Sequence, residues 1–127
     1  MRIRPGLIGL VLLALTGSAL AQDVGPAQEQ ELRDAKTAIE AAQKGPAAKH
    51  AGAQLKAAQD SVAAAEEARK QKSGEKFGRA ARLARAYAEL AMAVGALGEE
   101  RQNVAATREA ATNARAEIER LGAGAKP

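Results

Sequence analysis

From Ser73 to Leu121 the chain reads SGEKFGRAARLARAYAELAMAVGALGEERQNVAATREAATNARAEIERL, with no proline and an apolar side chain every seven residues: Leu83, Leu90, Leu97, Val104, Ala111 and Ile118. Seven residues are close to two helical turns, so these side chains fall on one slowly drifting stripe of a single helix. Ser73-Gly74 supplies a turn and a candidate N-cap, and Gly122 supplies a stop. At about 1.5 Å per residue such a helix is roughly 70 Å long, well beyond an ordinary globular helix. Whatever else the chain forms can cover only part of it.

Two shorter helices are expected before it. The first spans roughly Ala27 to Gln43, with Pro26 suited to a first turn and Leu32, Ala35, Ile39 and Ala42 on one face. Glu29–Arg33 and Glu40–Lys44 are acid-to-base pairs four residues apart, the favourable orientation on a helix surface. Lys44-Gly45-Pro46 ends this helix with a cation, a permissive glycine and a residue that breaks the ladder. The second helix starts between Ala47 and Ala51 and runs to about Gln71, with Leu55, Ala58, Val62 and Ala65 on its face and Glu66–Lys70 as a supporting pair. Both connections are short, which makes consecutive helices antiparallel. The long helix opens with Glu75–Arg79 and carries the heaviest apolar load: Phe77, Leu83, Tyr87, Leu90, Met92, Val94 and Leu97.

Gly95 and Gly98 each cost about 1 kcal/mol against alanine in a helix interior. Glu99-Glu100 would suit a new helix N-terminus. No turn chemistry able to reverse the chain lies there, so one long helix is expected, with Gly98 as the candidate bend. The fold class is therefore all-α: an antiparallel helical hairpin or three-helix bundle whose long third helix extends as a coiled-coil-like rod. Residues 27–97 make the three-helix domain, 98–121 the helical extension and 122–127 a disordered tail. Alanine richness and an aromatic content of 2% agree with this class.

The amino terminus reads as an address. Met1 to Pro5 is a short basic head, Gly6 to Gly17 is an uncharged apolar run, and Ala19-Leu20-Ala21 fits a small-x-small cleavage site. A membrane span needs about 20 apolar residues, and this run is shorter. A lipoprotein would need a cysteine, and the chain has none. Residues 1–21 are thus expected to be a cleaved secretory signal, 22–26 a leader, and the mature protein periplasmic with no transmembrane span. Loss of Arg2 and Arg4 takes the 19 basic residues to 17 against 15 acidic, a net +2 that does not argue for nucleic acid.

Three segments carry a resemblance: ELRDAKTAIEAAQKG in the first helix, AGAQLKAAQDSVAAAEEA in the second, and a small-residue turn followed by GRAARLARAYAELAMA. Over Glu31 to Leu97 the chain resembles a family of small bacterial envelope proteins that carries domain of unknown function 4398. The resemblance implies a helical hairpin or short bundle in the envelope and no known catalytic residues, with Arg101 onward an extension outside it.

Chemistry finds little to work with. Without cysteine there are no disulfides, thiolates or thiolate metal sites. His50 is the sole imidazole, and metal sites need several convergent ligands. Asp60 with Glu66 and Glu67, or Glu99 with Glu100, lacks the cleft that splits carboxylate pKa values. Ser61 and Ser73 have no triad to join. No cofactor is implied, and the chain is read as a non-enzyme.

Two surfaces remain. Arg69, Lys70, Lys72, Lys76, Arg79, Arg82 and Arg85 surround the second turn and could attach weakly to anionic lipid headgroups or cell-wall polymer by field attraction. Arg101, Arg108 and Arg115 repeat every seven residues, one turn beyond Leu97, Val104 and Ala111, with Ile118 closing the line. That is the e position beside an a seam, the arrangement that sets partner choice in coiled coils. Its d line (Glu100, Thr107, Ala114, Leu121) is poor, so a weak or heterotypic coiled coil and a plain solvated helix both stay open. After residue 21 the chain has only fifteen side chains among Val, Leu, Ile, Met, Phe and Tyr. So thin a core makes contact with itself or with another envelope protein a reasonable expectation.

Overall fold

The computed structural model describes residues 23–125. The signal sequence and cleavage site expected at residues 1–21 lie outside the described residues. Among the described residues four helices follow one another: α1 (Pro26–Lys44), α2 (Ala47–His50), α3 (Gly52–Lys70) and α4 (Gly74–Gly124). The fold is all-α, and the other three helices all pack on the first half of α4.

The start of α1 is fixed by Pro26 and by Gln28. Gly25 N–H donates to the Gln28 side-chain oxygen at 2.9 Å, and Gln28 Nε2 donates onward to the Gly74 carbonyl at 3.0 Å. One amide thus caps α1 and pins it to the start of α4, where Gly78 leaves room for it. The face of α1 is Leu32, Ala35, Ile39 and Ala42, all buried as their spacing predicts.

The second helix is divided. Gly45-Pro46 leads into the single turn α2, and Ala51, at φ −132° and ψ 36°, breaks the ladder before α3 begins. The break turns Ala47 and Ala51 inward together, closing the far end of the bundle with Ala42, Leu55 and Ala91. On α3 the buried face is Leu55, Ala58, Ser61, Ala65 and Ala68, with Val62 half-buried at its edge. Ser61 tolerates burial because its hydroxyl donates to the Ala57 carbonyl at 2.8 Å.

The α3–α4 connection is a Schellman motif: Ser73 N–H donates to the Ala68 carbonyl and Lys72 N–H to the Arg69 carbonyl, both at 3.0 Å. Lys72 takes the left-handed position at φ 53°, so the turn is made there and not at Gly74, which already starts α4. Ser73 occupies the N-cap position without a side-chain cap bond.

The inner face of α4 is Phe77, Ala81, Ala84, Ala88, Ala91 and Gly95, stepping by four and three. Of the buried apolar residues among those described, only Leu32, Ile39, Leu55 and Phe77 are larger than alanine. Facing rows of alanine let helices approach at the close end of the usual 8–10 Å, so the core holds by proximity more than by bulk. At the far end α2 comes close to α4: a Cβ on Gly95 would stand 2.6 Å from Ala47 Cα. Gly95 and Gly98 both leave room for α2, and the helix is not interrupted at either. α4 continues unbroken through Gly98, past the expected stop at Gly122, to Gly124. From Glu99 onward every described residue is exposed.

Candidate functional site

The seven-residue apolar line does not serve the bundle. Leu83, Leu90 and Leu97 are 47%, 46% and 51% exposed, and Val104 and Ile118 are 47% and 68% exposed. Of the large apolar residues expected to load the front of α4, only Phe77 is fully buried. Tyr87 is half-buried against the cluster of Ile39, Ala58 and Ala88, and Val94 against that of Ala42, Ala47, Ala51, Leu55 and Ala91, while Leu83, Leu90, Met92 and Leu97 face solvent. The reason is geometric: alanine and glycine own the inner face, and the leucines fall on the outer one. α4 thus carries an uncovered apolar line beside the bundle as well as beyond it.

Beyond Gly98 this line meets the arginines. Leu97, Val104, Ala111 and Ile118 are exposed together with Arg101, Arg108 and Arg115, on a half of α4 whose one hydrogen bond from another helix, among the described residues, comes from Lys49, whose Nζ donates to Gln102 at 3.0 Å. None of the three arginines joins an ion pair among the described residues. Arg120, at the end of the same helix, is held by Glu117 at 2.6 Å.

The basic residues around the second turn are largely answered within the chain. Arg69 faces both Glu29 and Glu66 and lies over the Phe77 ring, 5.2 Å from its centroid. Lys70 meets Glu67 at 3.6 Å, Arg79 meets Glu75 at 2.9 Å, Arg82 meets Glu31 at 3.6 Å, and Arg85 meets Glu89 at 2.9 Å. Lys72 and Lys76 alone of the seven are in no ion pair among the described residues. Sequence spacing had paired Glu29 with Arg33, Glu40 with Lys44 and Glu66 with Lys70. Tertiary partners take two of these: Glu29 turns to Arg69, and Glu66 bridges Lys36 at 2.7 Å and Arg69 at 2.9 Å, tying α1 to α3, while Glu40 joins no ion pair among the described residues and the expected Glu75–Arg79 pair forms.

The remaining candidates lie apart. His50 is half-buried at the end of α2, its ring over Gly98. Asp60 pairs with Lys56 at 3.1 Å on the outer face of α3. Glu66 is held below the usual carboxylate range by its hydrogen bond to Lys36, reinforced by the charges of Lys36, Arg69 and Lys70. A depression of about 240 Å³ between α1 and α3 is lined by Lys36, Ile39, Glu40, Gln59 and Val62 and lies open to solvent. Among the described residues no three acidic or histidine side chains converge as metal ligands, and no helix is long and apolar enough to cross a membrane.

Residues 30–123 match the model of a family described as Domain of unknown function (DUF4398). The match runs through the bare half of α4, so the extension that the resemblance over Glu31 to Leu97 left outside is part of the family's domain. The chain matches no curated protein and no solved structure.

Proposed function

We propose that this chain, which belongs to the DUF4398 family, is a non-enzymatic helical protein of the bacterial periplasm that works by protein–protein contact. The contact surface is the bare half of α4, with Leu97, Val104, Ala111 and Ile118 as the apolar line and Arg101, Arg108 and Arg115 beside it. The partner is a second copy or another envelope protein. One observation carries the reading: a seven-residue apolar line stands uncovered on the half of α4 that no other described helix buries. Apolar side chains at that spacing are the seam of a helix–helix contact. The periplasmic assignment rests on the signal-like residues 1–21.

The other reading, attachment to anionic lipid or polymer by the basic turn, has less support. Five of its seven cations already face carboxylates, which weakens the outward field. The two readings differ in their response to salt, since exposed charges are screened within about 10 Å at 0.1 M. Sedimentation of the purified protein at several concentrations, alone and with envelope extract, at low and high salt, tests this. Association that persists in high salt and is lost in Val104→Asp/Ile118→Asp is the expected result. Association that vanishes with salt and is untouched by that variant would favour the basic turn.

A further inference from the structure

We infer that the occupant of the bare half of α4 is a helix of another protein that carries acidic residues at seven-residue spacing beside its own apolar line. This rests on the protein–protein reading above and names the partner's chemistry. The arginines of α4 that lie beside the bundle are each held by a carboxylate: Arg79 by Glu75, Arg82 by Glu31 and Arg85 by Glu89. Those beyond the bundle divide by position. Arg120, off the seam, is held by Glu117, while Arg101, Arg108 and Arg115, four residues after Leu97, Val104 and Ala111, are held by nothing among the described residues. Within three or four residues of them, on the same face, the only carboxylate is Glu119. Three unanswered guanidinium groups therefore border one side of an exposed apolar line.

A second copy of the chain does not answer them. In an antiparallel pairing each e row faces the other e row, so Arg101, Arg108 and Arg115 meet one another, or Tyr87 and Val94. In the in-register parallel pairing they meet Ala96, Asn103 and Ala110, and a one-heptad stagger answers only one of the three, with Glu89 or Glu117. Glu100, the one acid on the seam, can reach Arg101 of a second copy only in the single antiparallel register centred on that pair. Charges flanking a coiled-coil seam select partners, and like charges placed opposite each other oppose association. The row of cations discriminates against a second copy and in favour of a glutamate- or aspartate-flanked helix.

Two synthetic amphipathic helical peptides of equal length and identical leucine line, one with Glu and one with Lys at the flanking seven-residue positions, are titrated against the labelled full chain by fluorescence anisotropy. The Glu peptide is expected to bind roughly tenfold more tightly at low salt, three interhelical ion pairs acting together. That margin shrinks in high salt. The variant Arg101→Glu/Arg108→Glu/Arg115→Glu, whose sites are all exposed and whose helicity is checked by circular dichroism, is expected to reverse the preference. Equal binding of both peptides, or of neither, overturns the inference. So does a concentration-dependent oligomer of the wild-type chain abolished by Val104→Asp/Ile118→Asp. In that last case the protein–protein reading survives and only the acidic partner falls. A chain that stays monomeric and binds neither peptide nor envelope extract ends both.

Discussion

The His50 ring lies where a side chain on Gly98 would have to go: a Cβ built on Gly98 would stand 2.5 Å from His50 Cγ. One turn earlier, a Cβ on Gly95 would meet backbone, with the Pro46 carbonyl carbon at 2.9 Å and Ala47 Cα at 2.6 Å. Both glycines let α2 sit against α4, but they differ in what blocks them. A side chain can rotate away; a backbone turn held by Gly45, Pro46 and Ala51 cannot.

Gly95→Ala is therefore expected to cost about 2–3 kcal/mol in urea unfolding, the scale of an overpacked core site. Gly98→Ala should cost under about 1 kcal/mol, because relief of the mid-helix glycine offsets part of the clash. In the His50→Ala background Gly98→Ala should become neutral or stabilising, while Gly95→Ala should not improve. Equal penalties at the two sites would mean that α2 does not lie against α4 in this way.

Lys72 holds the left-handed position of the Schellman motif at φ 53°, a conformation that costs an L-residue roughly 1–2 kcal/mol. Lys72→Gly removes that cost and adds some chain entropy to the unfolded state. The net expected effect is stabilisation of about 1 kcal/mol, a rise in melting temperature of roughly 4–8 °C for a domain of this size. Differential scanning calorimetry reads it directly. A lower melting temperature would place the turn elsewhere.

Leu83→Gln, Leu90→Gln and Leu97→Gln are expected to leave stability within about 0.5 kcal/mol of wild type, since their side chains already face solvent. Leu32→Ala and Phe77→Ala, both fully buried, should each cost about 2–5 kcal/mol. The contrast tests which face of α4 is the inner one, and a large loss at Leu90 would reverse the assignment.

That contrast also marks where the sequence was legible. On α1, Leu32 and Ile39 are the only large apolar residues, so their spacing with Ala35 and Ala42 points to the buried face. On α4 the large residues outnumber those the inner face needs, and alanine makes every face passably apolar. The leucine line is the louder pattern and belongs to the outside; the inner line of alanines and Gly95 carries little hydrophobic signal. The clue lay in Gly95 and Gly98, whose spacing continues the line of Phe77, Ala81, Ala84, Ala88 and Ala91. Read as helix weakeners, they hid a close approach. The length of α4 was legible because neither proline nor turn chemistry interrupts it. The rerouting of Glu29 and Glu66 to partners on other helices was not, because helical spacing sees only neighbours on the same helix.

Glu66 links stability to pH. Its carboxyl is held below the usual range by Lys36 first and then by the charges of Lys36, Arg69 and Lys70, so its folded pKa lies below the unfolded value of about 4.3. A depressed pKa means that the folded state favours the charged form. The contribution is fully present above the unfolded pKa and is lost as pH falls through the folded one. Urea midpoints taken from pH 7 down to pH 3 should fall for wild type, and fall less for Glu66→Gln, which cannot titrate. Parallel curves for the two proteins would remove Glu66 from the account. Because the pair is partly exposed, the difference should also narrow in high salt.

The two halves of α4 should differ in hydrogen exchange although both are helical. From Gly74 to Gly98 the helix is held by α1, α2 and α3 and can open only with the bundle. From Glu99 to Gly124 no other described helix buries it, and it relies on alanine propensity, on the Glu117–Arg120 pair and on continuation from the bundle as a nucleus. A helix without tertiary packing loses the main source of helical stability in proteins and frays from its free end, but one grown from an existing helix avoids the nucleation cost. Its amides should therefore show protection that declines from Arg101 towards Gly124, orders of magnitude below that of the bundle half. Binding of a partner helix along Leu97, Val104 and Ile118 should raise protection there and leave residues 74–98 unchanged. Uniform protection along the whole of α4 in the free monomeric protein would mean that the second half already has a cover.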